Sequence, residues 1–352
     1  MRWTAPRSGD KPVLESLLLY GVLRLNNASI VFIFRNNPSL SLLTAAGQEP
    51  RVHGGKKPRY AFGSISDYEK LEVLGEGTYG QVLKARDRRT GKKVAVKWVH
   101  GNRAGGHGPP DIRAITREAG CLGACRSHES IIEILDVATD AETGDVFLVM
   151  ELVADGRTLR ESLWRPVSED VTRVMMEQLL DAAKKIHGAG IIHRDFKLEN
   201  VMVGFFGGLK VGDFGSAIRA KPAGVPYEEC CVGTLIYTSP EQLEGNRYYS
   251  QAVDMWALGC IMAEMLAGGT LFVVETEEEL LAEIYKLRDQ ITSTGKLDLE
   301  FFEELSEAGR EVLTGLLAFN PAERITAAEA LEHRWFRKPK GAEHPGFVSL
   351  IS

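Results

Sequence analysis

Apolar and polar positions alternate along residues 68–75 (YEKLEVLG) and 80–86 (GQVLKAR), the period of half-buried strands. The turn DRRTGKK separates them from VAVKWV (94–99), a third strand, and residues 131–137 and 146–152 (VFLVMEL) complete a small sheet. A Gly/Pro-rich loop, HGNRAGGHGPP (100–110), follows the third strand. Next comes a helix-patterned stretch, DIRAITREAGCLGAC (111–125), with Asp111 at its N-cap and with Gly120 and Gly123 weakening it. Beyond Gly156 the pattern turns helical, over 169–188, 250–267, 276–291 and 300–318. The plan is a small, mostly β front portion joined to a larger helical body, with loops carrying the polar residues between them. Ahead of it, the basic, Gly/Pro-containing EPRVHGGKKPRYAFG (49–63) reads as a linker.

Composition narrows the class. Apolar residues make up 44% of the 352 and charged residues 26%, ordinary for a soluble globular chain. The net charge of −6 gives no global basic field for nucleic acid. Five cysteines, an odd count with no zinc-finger spacing, point to reduced thiols in an intracellular protein. The apolar stretch at 13–34 is interrupted by Glu15, Arg24, Asn26 and Asn27, so no spanning helix and no membrane are expected. It also lacks the form of a secretory signal. Residues 1–60 hold nine Arg/Lys against three Asp/Glu, weakly like a transit peptide. A poorly ordered extension is the plainer expectation.

The candidate chemistry gathers in IIHRDFKLENVMVGFFGGLKVGDFGSA (191–217). Asp195, Asn200 and Asp213 stand there beside the apolar segments IIH, VMV and LKV. Solvated acids need no such setting, whereas a bound metal carrying a polyphosphate does. Upstream, Gly75, Gly77 and Gly80 form G-x-G-x-x-G, followed by Val82. A dinucleotide site has the same spacing, but there the glycines open a helix, and here GQVLKAR continues as a strand. A Gly-rich hairpin can lie over a nucleotide and bring backbone N–H groups to phosphate oxygens. Lys97 lies in an otherwise apolar strand and needs a partner, for which Glu118 in the following helix is the natural candidate.

Taken in order, the Gly-rich loop, V-A-V-K, the helix glutamate, H-R-D-x-x-x-x-N, D-F-G and a later P-E resemble the protein kinase superfamily, from about Tyr68 to Phe336. The resemblance implies an α+β, bilobal protein kinase fold. The expected bounds are an extension at 1–66, a kinase domain at 67–337 (67–152 and 153–337) and a tail at 338–352. It implies ATP-dependent phosphorylation of Ser/Thr hydroxyls on proteins, with ATP and Mg²⁺ as cofactors; the alternative is a pseudokinase scaffold. By resemblance, Asp195 accepts the substrate proton, Lys197 approaches the γ-phosphate, and Asn200 and Asp213 bind Mg²⁺. Lys97, held by Glu118, approaches the α- and β-phosphates, with Gly75, Glu76, Gly77 and Gly80 over the nucleotide. Glu151 C=O and Val153 N–H bond adenine, with Met150 behind and Val82, Ala95 and Met202 sandwiching the ring. Asp254 is expected to tie down the catalytic-loop backbone, and Glu241 with Arg324 to form a buried pair. Lys197 and Thr234 fit the Ser/Thr-specific class, although Leu198 replaces the usual proline.

GEGTYG, the AITRE helix, HRDFKLEN and DMWALGCIMAEML look like the cyclin-dependent kinase group, and plant F-type members in particular. The cyclin-contacting helix signature is altered to PPDIRAITRE, which argues against a cyclin-like subunit. The segment from Phe272 to Glu311 is shorter than that group's insert. Thr238-Ser239 replaces the Arg-Ala of the group, so the proline preference is left open. Glu229, beside Glu228, falls where the group carries its activating phosphothreonine. The expectation is that one of them pairs with Arg117, Arg194 and Arg219 without phosphorylation. Thr78 and Tyr79 match the group's inhibitory phosphorylation sites. The expected location is cytoplasm or nucleus, with KKPR (56–59) a hint of nuclear entry.

Overall fold

The computed structural model describes residues 62–77, 80–99, 111–154, 156–294 and 305–337, and the paired strands β1 (Tyr20–Gly21) and β2 (Ile33–Phe34). The expectations for the extension, the linker, the 100–110 loop, Thr78, Tyr79 and the tail lie wholly or largely outside these residues. The chain divides into two units. One runs through Gly123 and includes Ile134–Leu152; the other holds Ala124–Glu133 and continues from Val153.

The smaller unit is a six-stranded sheet with one helix. Its strands are β3 (Gly63–Ser64), β4 (Tyr68–Gly77), β5 (Gly80–Asp87), β6 (Lys93–Val99), β7 (Ile134–Thr139) and β8 (Val146–Glu151), in the order β3-β7-β8-β6-β5-β4. All neighbours are antiparallel except β3 with β7. Register decides what each face carries. Val82 pairs with Lys97, Lys97 with Leu148, and Ala95 with Met150, so these side chains share one face. The opposite face buries Ile65, Tyr68, Leu83, Ala85, Val94, Val96, Ala138, Phe147 and Val149 as one core. Each Val, Leu, Ile or Phe side chain among them contributes about 1.5–3 kcal/mol when fully buried. Helix α1 (Ile112–Ala124) starts as expected, with Asp111 Oδ1 accepting from the N–H groups of Arg113 (2.9 Å) and Ala114 (3.1 Å). It buries Ile115, Glu118, Ala119 and Leu122, the i, i+3, i+4, i+7 stripe of one helix face.

The larger unit is mostly helical. Short α2 (Leu159–Ser162) carries a Thr158–Glu161 capping box. Helix α3 (Glu169–Gly188) is capped by Ser168, with acids in its first turn and Lys185 and His187 in its last, in accord with the helix dipole. Strand pairs β9 (Ile191–Ile192) with β12 (Ile218–Arg219), and β10 (Val201–Val203) with β11 (Leu209–Val211), carry the loops between them. Then come α4 (Pro240–Leu243), α5 (Ala252–Ala267), α6 (Glu277–Thr294), α7 (Glu307–Leu316) and α8 (Ala327–Glu332). Helix α5 is buried on nearly every side, from Val253 to Met265. A Cβ on Gly259 would lie 2.8 Å from Leu317, so the glycine lets the chain beyond α7 lie close. Among the described residues no helix is long and apolar enough to cross a membrane.

Two expected elements differ at their starts. The strand over 131–137 begins only at Ile134, because Ile131 bridges to Val211 and Ile132 N–H donates to Val211 O (2.9 Å). Backbone pairing thus claims 131–132 for the larger unit. Of the helix expected over 300–318, residues 300–304 lie outside the described residues, and the described helix starts at Glu307, where the Ser306 hydroxyl accepts from Gly309 N–H as its cap.

Candidate active site

In the smaller unit, the shared sheet face collects most of the residues expected to hold a nucleotide. Lys97 and Glu118 are both buried and meet at 2.7 Å, which gives each charge the partner that burial demands. Gly75 and Glu76 pair with Val82 and Gln81, and Gly77 pairs with Gly80, so the glycines flank the β4–β5 turn. Gly80 has φ 137°, open to glycine and strained for other residues. Val82 is half-buried, Ala95, Met150 and Val153 are buried, and Glu151 is half-buried at the end of β8. Val153 itself begins the larger unit.

In the larger unit, one hairpin sets the spacing of the polar trio. Val201 pairs with Val211, so Asn200 and Gly212 flank the open end of the β10–β11 ladder, and Gly212 N–H donates to Asn200 O (2.8 Å). Asp213 follows directly, in a left-handed conformation (φ 50°, ψ 77°), with its carboxylate accepting from Gly215 N–H. Asn200 Nδ2 donates to both Asp195 O and Asp195 Oδ2, each at 2.9 Å. Lys197 Nζ lies 3.0 Å from Asp195 Oδ2 and donates to Thr234 Oγ1 (2.8 Å), which in turn donates to Asp195 Oδ1 (2.9 Å). A buried carboxylate is thereby held at both oxygens. Gly233 makes this closure possible: at φ 109°, any Cβ there would collide with the Arg194 carbonyl oxygen. Met202, the remaining candidate, is half-buried in β10.

The loop before Asp195 is fixed from below. Asp254, fully buried at the start of α5, accepts from the N–H groups of His193 (2.9 Å) and Arg194 (2.8 Å) and from His187 Nε2 (2.9 Å). Burial alone would raise its pKa, but these bonds outweigh burial and hold it below the ordinary aspartate value. The His193 ring packs between Phe196 and Phe214, with Nε2 donating to Gly212 O and Nδ1 accepting from Asp195 N–H. That arrangement fixes the orientation of the ring. Farther on, Glu241 and Arg324 form the expected buried pair through two bonds, of 2.8 and 3.0 Å.

The arginine cluster is not arranged as expected. Glu228 and Glu229 are exposed, and among the described residues neither forms an ion pair with Arg194 or with exposed Arg219. Arg194 instead donates through Nε to Ser216 O (2.7 Å) and through Nη1 to the Tyr249 hydroxyl (3.0 Å). Tyr249 in turn donates to the backbone oxygen of Glu229 (3.3 Å) and stacks on Tyr227. A phenol and a main-chain carbonyl thus stand beside Arg194 where a carboxylate was expected. Sequence reasoning missed Tyr249, and it missed Arg160, whose guanidinium meets Glu199, Glu264 and Tyr237. Their partners lie too far away in sequence for any spacing to signal them.

The donor set suits a hard cation with phosphate. Asn200, committed through its nitrogen to Asp195, keeps an Oδ1 that accepts from no described residue, and Asp213 adds a carboxylate beside it in the chain fold. Among the described residues there is no His/Cys/Asp/Glu cluster of the kind that holds a metal by side chains alone. Magnesium bound largely by phosphate and water needs none.

Comparison with known proteins agrees with this geometry. A family model described as "Protein kinase domain" matches residues 68–336. The chain is 40% identical to a protein named "Putative cyclin-dependent kinase F-2" from Oryza sativa subsp. japonica, over 76% of this chain and 89% of that one. It is 34% identical to "Cyclin-dependent kinase G-1" from Oryza sativa subsp. indica, over 78% of this chain but 43% of that protein. It is also 34% identical to "Probable cyclin-dependent kinase 10" from Dictyostelium discoideum, over 78% and 80%. The chain thus spans most of the first relative and less than half of the G-type one.

Proposed function

We propose residue roles for a chain that belongs to the protein kinase family and, within it, to the cyclin-dependent-kinase-like Ser/Thr kinases. It phosphorylates Ser/Thr hydroxyls of proteins, with ATP as phosphate donor. In the proposed mechanism Asp195 accepts the hydroxyl proton as the oxygen attacks the γ-phosphorus of ATP, and the bond from that phosphorus to the departing ADP breaks. Thr234 and Lys197 orient that carboxylate, and Lys197 adds positive charge where the transferred phosphate develops negative charge. Asn200 Oδ1 and the Asp213 carboxylate would hold Mg²⁺, which neutralises phosphate charge when bound. In the smaller unit, Lys97, fixed by Glu118, would hold the α- and β-phosphates, and Gly75, Glu76, Gly77 and Gly80 would lie over them. Ala95, Val82 and Met150 would offer an apolar surface to adenine, with Glu151 and Val153 as backbone bonding groups; in the larger unit Met202 would do likewise.

The observation that carries this reading is the Asp195 carboxylate, bonded at one oxygen by Thr234 and at the other by Lys197 and Asn200. What sets it apart from the equally well-bonded structural carboxylate of Asp254 is the neighbouring Asn200 Oδ1, which accepts from no described residue. Protein substrates follow from the Ser/Thr class. The altered PPDIRAITRE segment supports activity without a cyclin-like subunit, and KKPR supports a cytoplasmic or nuclear location. The test is phosphate transfer from Mg-ATP by the purified chain to Ser/Thr peptides, half with proline after the target. Asp195→Asn should lower transfer about 10²–10⁴-fold. An unchanged rate in that variant would reject the assignment, and the proline comparison measures what Thr238-Ser239 does to substrate choice.

A further inference from the structure

Arg160 ties together two walls of chain that both lead to Asp195. Its Nε donates to Glu199 Oε1 (2.8 Å), its Nη1 to Glu264 Oε1 (2.6 Å) and its Nη2 to the Tyr237 hydroxyl (3.0 Å). Tyr237 donates onward to Glu264 Oε2 (2.6 Å). Glu199 stands four residues after Asp195 and next to Asn200, so it lies no more than about 14 Å along the chain from the transfer centre. Tyr237 stands three residues after Thr234, which bonds Asp195. Two carboxylates therefore converge next to segments that lead to Asp195, and an arginine from α2 fills the space between them.

The socket is half open. Glu264 is 3% exposed at its side chain, whereas Arg160 is 32% and Glu199 44% exposed. Burial works against the guanidinium, but the bonds from Glu264 and Glu199 outweigh it and raise its pKa above the ordinary arginine value. Burial, with the bond to Glu264, pushes the Tyr237 phenol up too, so it stays neutral. The local sum is two negative charges against one positive. Nothing in α2 requires that cation: its capping box is made by Thr158 and Glu161, and its buried residues are Leu159 and Ser162. Two carboxylates and a phenol oxygen, each met by a different guanidinium nitrogen, match the fork of an arginine rather than the single ammonium of a lysine.

We propose that Arg160 determines specificity by filling, from within the chain, a two-carboxylate socket that would otherwise bind an arginine of the substrate peptide. The unaltered protein then gains nothing from a basic residue at that substrate position, and Arg160→Ala converts it to an arginine-preferring enzyme. The inference rests on the kinase reading above.

The experiment walks a single arginine through the residues on either side of the target Ser or Thr in a peptide set. The unaltered chain should show no preference arising from this socket. Arg160→Ala should prefer arginine at one position by roughly tenfold or more, the worth of a charge-assisted bonded pair. The gain should fall in KM rather than kcat, and adding Glu199→Gln should abolish it. A merely structural arginine would lower stability and create no such preference. Should Arg160→Ala fail to fold because Glu264 is stranded, Arg160→Ala with Glu264→Gln removes the buried charge and keeps Glu199, and a smaller preference is expected. If the unaltered chain transfers phosphate to no peptide, the kinase reading falls. The socket is then read from melting temperature, where agmatine should stabilise Arg160→Ala and not the unaltered chain. Neither a new preference nor stabilisation in a folded variant would overturn the inference.

Discussion

Asp254 has no exposed surface and three donors, the N–H groups of His193 and Arg194 and the ring of His187. A carboxylate so held has a native pKa below its unfolded value. The sign follows from proton binding: the unfolded state takes up the proton first, so this stabilisation is complete above the unfolded value near 4 and is lost as pH falls through the native one. Asp254→Asn should therefore be roughly 2–3 kcal/mol less stable than the unaltered chain at pH 7, by the usual worth of bonds to a charged group. Denaturant unfolding at successive pH values should show that difference shrinking in acid below about pH 4. A difference constant with pH would mean that the carboxylate's charge is not what holds the loop. At this scale most of the site was legible. Asp195, Asn200 and Asp213 sit in short motifs, and Lys97 in an apolar strand announces a missing partner. Arg160 announces nothing, since its three partners lie 39, 104 and 77 residues away.

Among elements, the segment from Asp213 to Glu241 shows where reading by position misled. Glu229 does stand near Arg194, but through its backbone carbonyl and by way of Tyr249. The cause is packing. Tyr227 is buried with Ile192, Tyr249 and Val253, and Arg247 holds the Tyr227 main chain from both sides, which fixes the backbone there and leaves the two glutamate side chains in solvent. Tyr249→Phe removes the hydroxyl that serves both Arg194 and the Glu229 carbonyl. Transfer by the unphosphorylated enzyme should fall about tenfold, the ordinary worth of a bond to a charged donor. Glu229→Ala should leave transfer unchanged, because only its backbone is engaged. Peptide phosphorylation rates for the two variants decide the matter, and the reverse pattern would restore the carboxylate as the phosphate's substitute. The long helices were legible from their period and caps, α3 to the residue. Two-residue strands such as β3, β9 and β12 are too short to carry any period.

For the molecule as a whole, the composition, the change from period-two to helical patterning and the motif order were enough for the α+β fold, because each unit is built around patterns longer than a turn. The front edge of the smaller unit was not legible. Its expected boundary at residue 67 cuts through connected structure. Gly63–Ser64 pairs with Ala138–Thr139 at the β7 edge, Ser64 caps the turn at 65–67, and Ile65 is buried in the sheet's core. The composition there is that of a linker, Gly-rich and basic, and a single buried isoleucine does not change an average. We therefore propose that the folded kinase unit includes Gly63–Asp67. A chain of residues 67–337 should be about 2–5 kcal/mol less stable than one of residues 62–337, the cost of emptying an isoleucine's place in a core. Ile65→Ala in the full chain should reproduce most of that loss, which separates core packing from the trimmed β3 edge. Equal melting of all four proteins would return the boundary to residue 67 and make β3 an ornament of the sheet rather than part of its support.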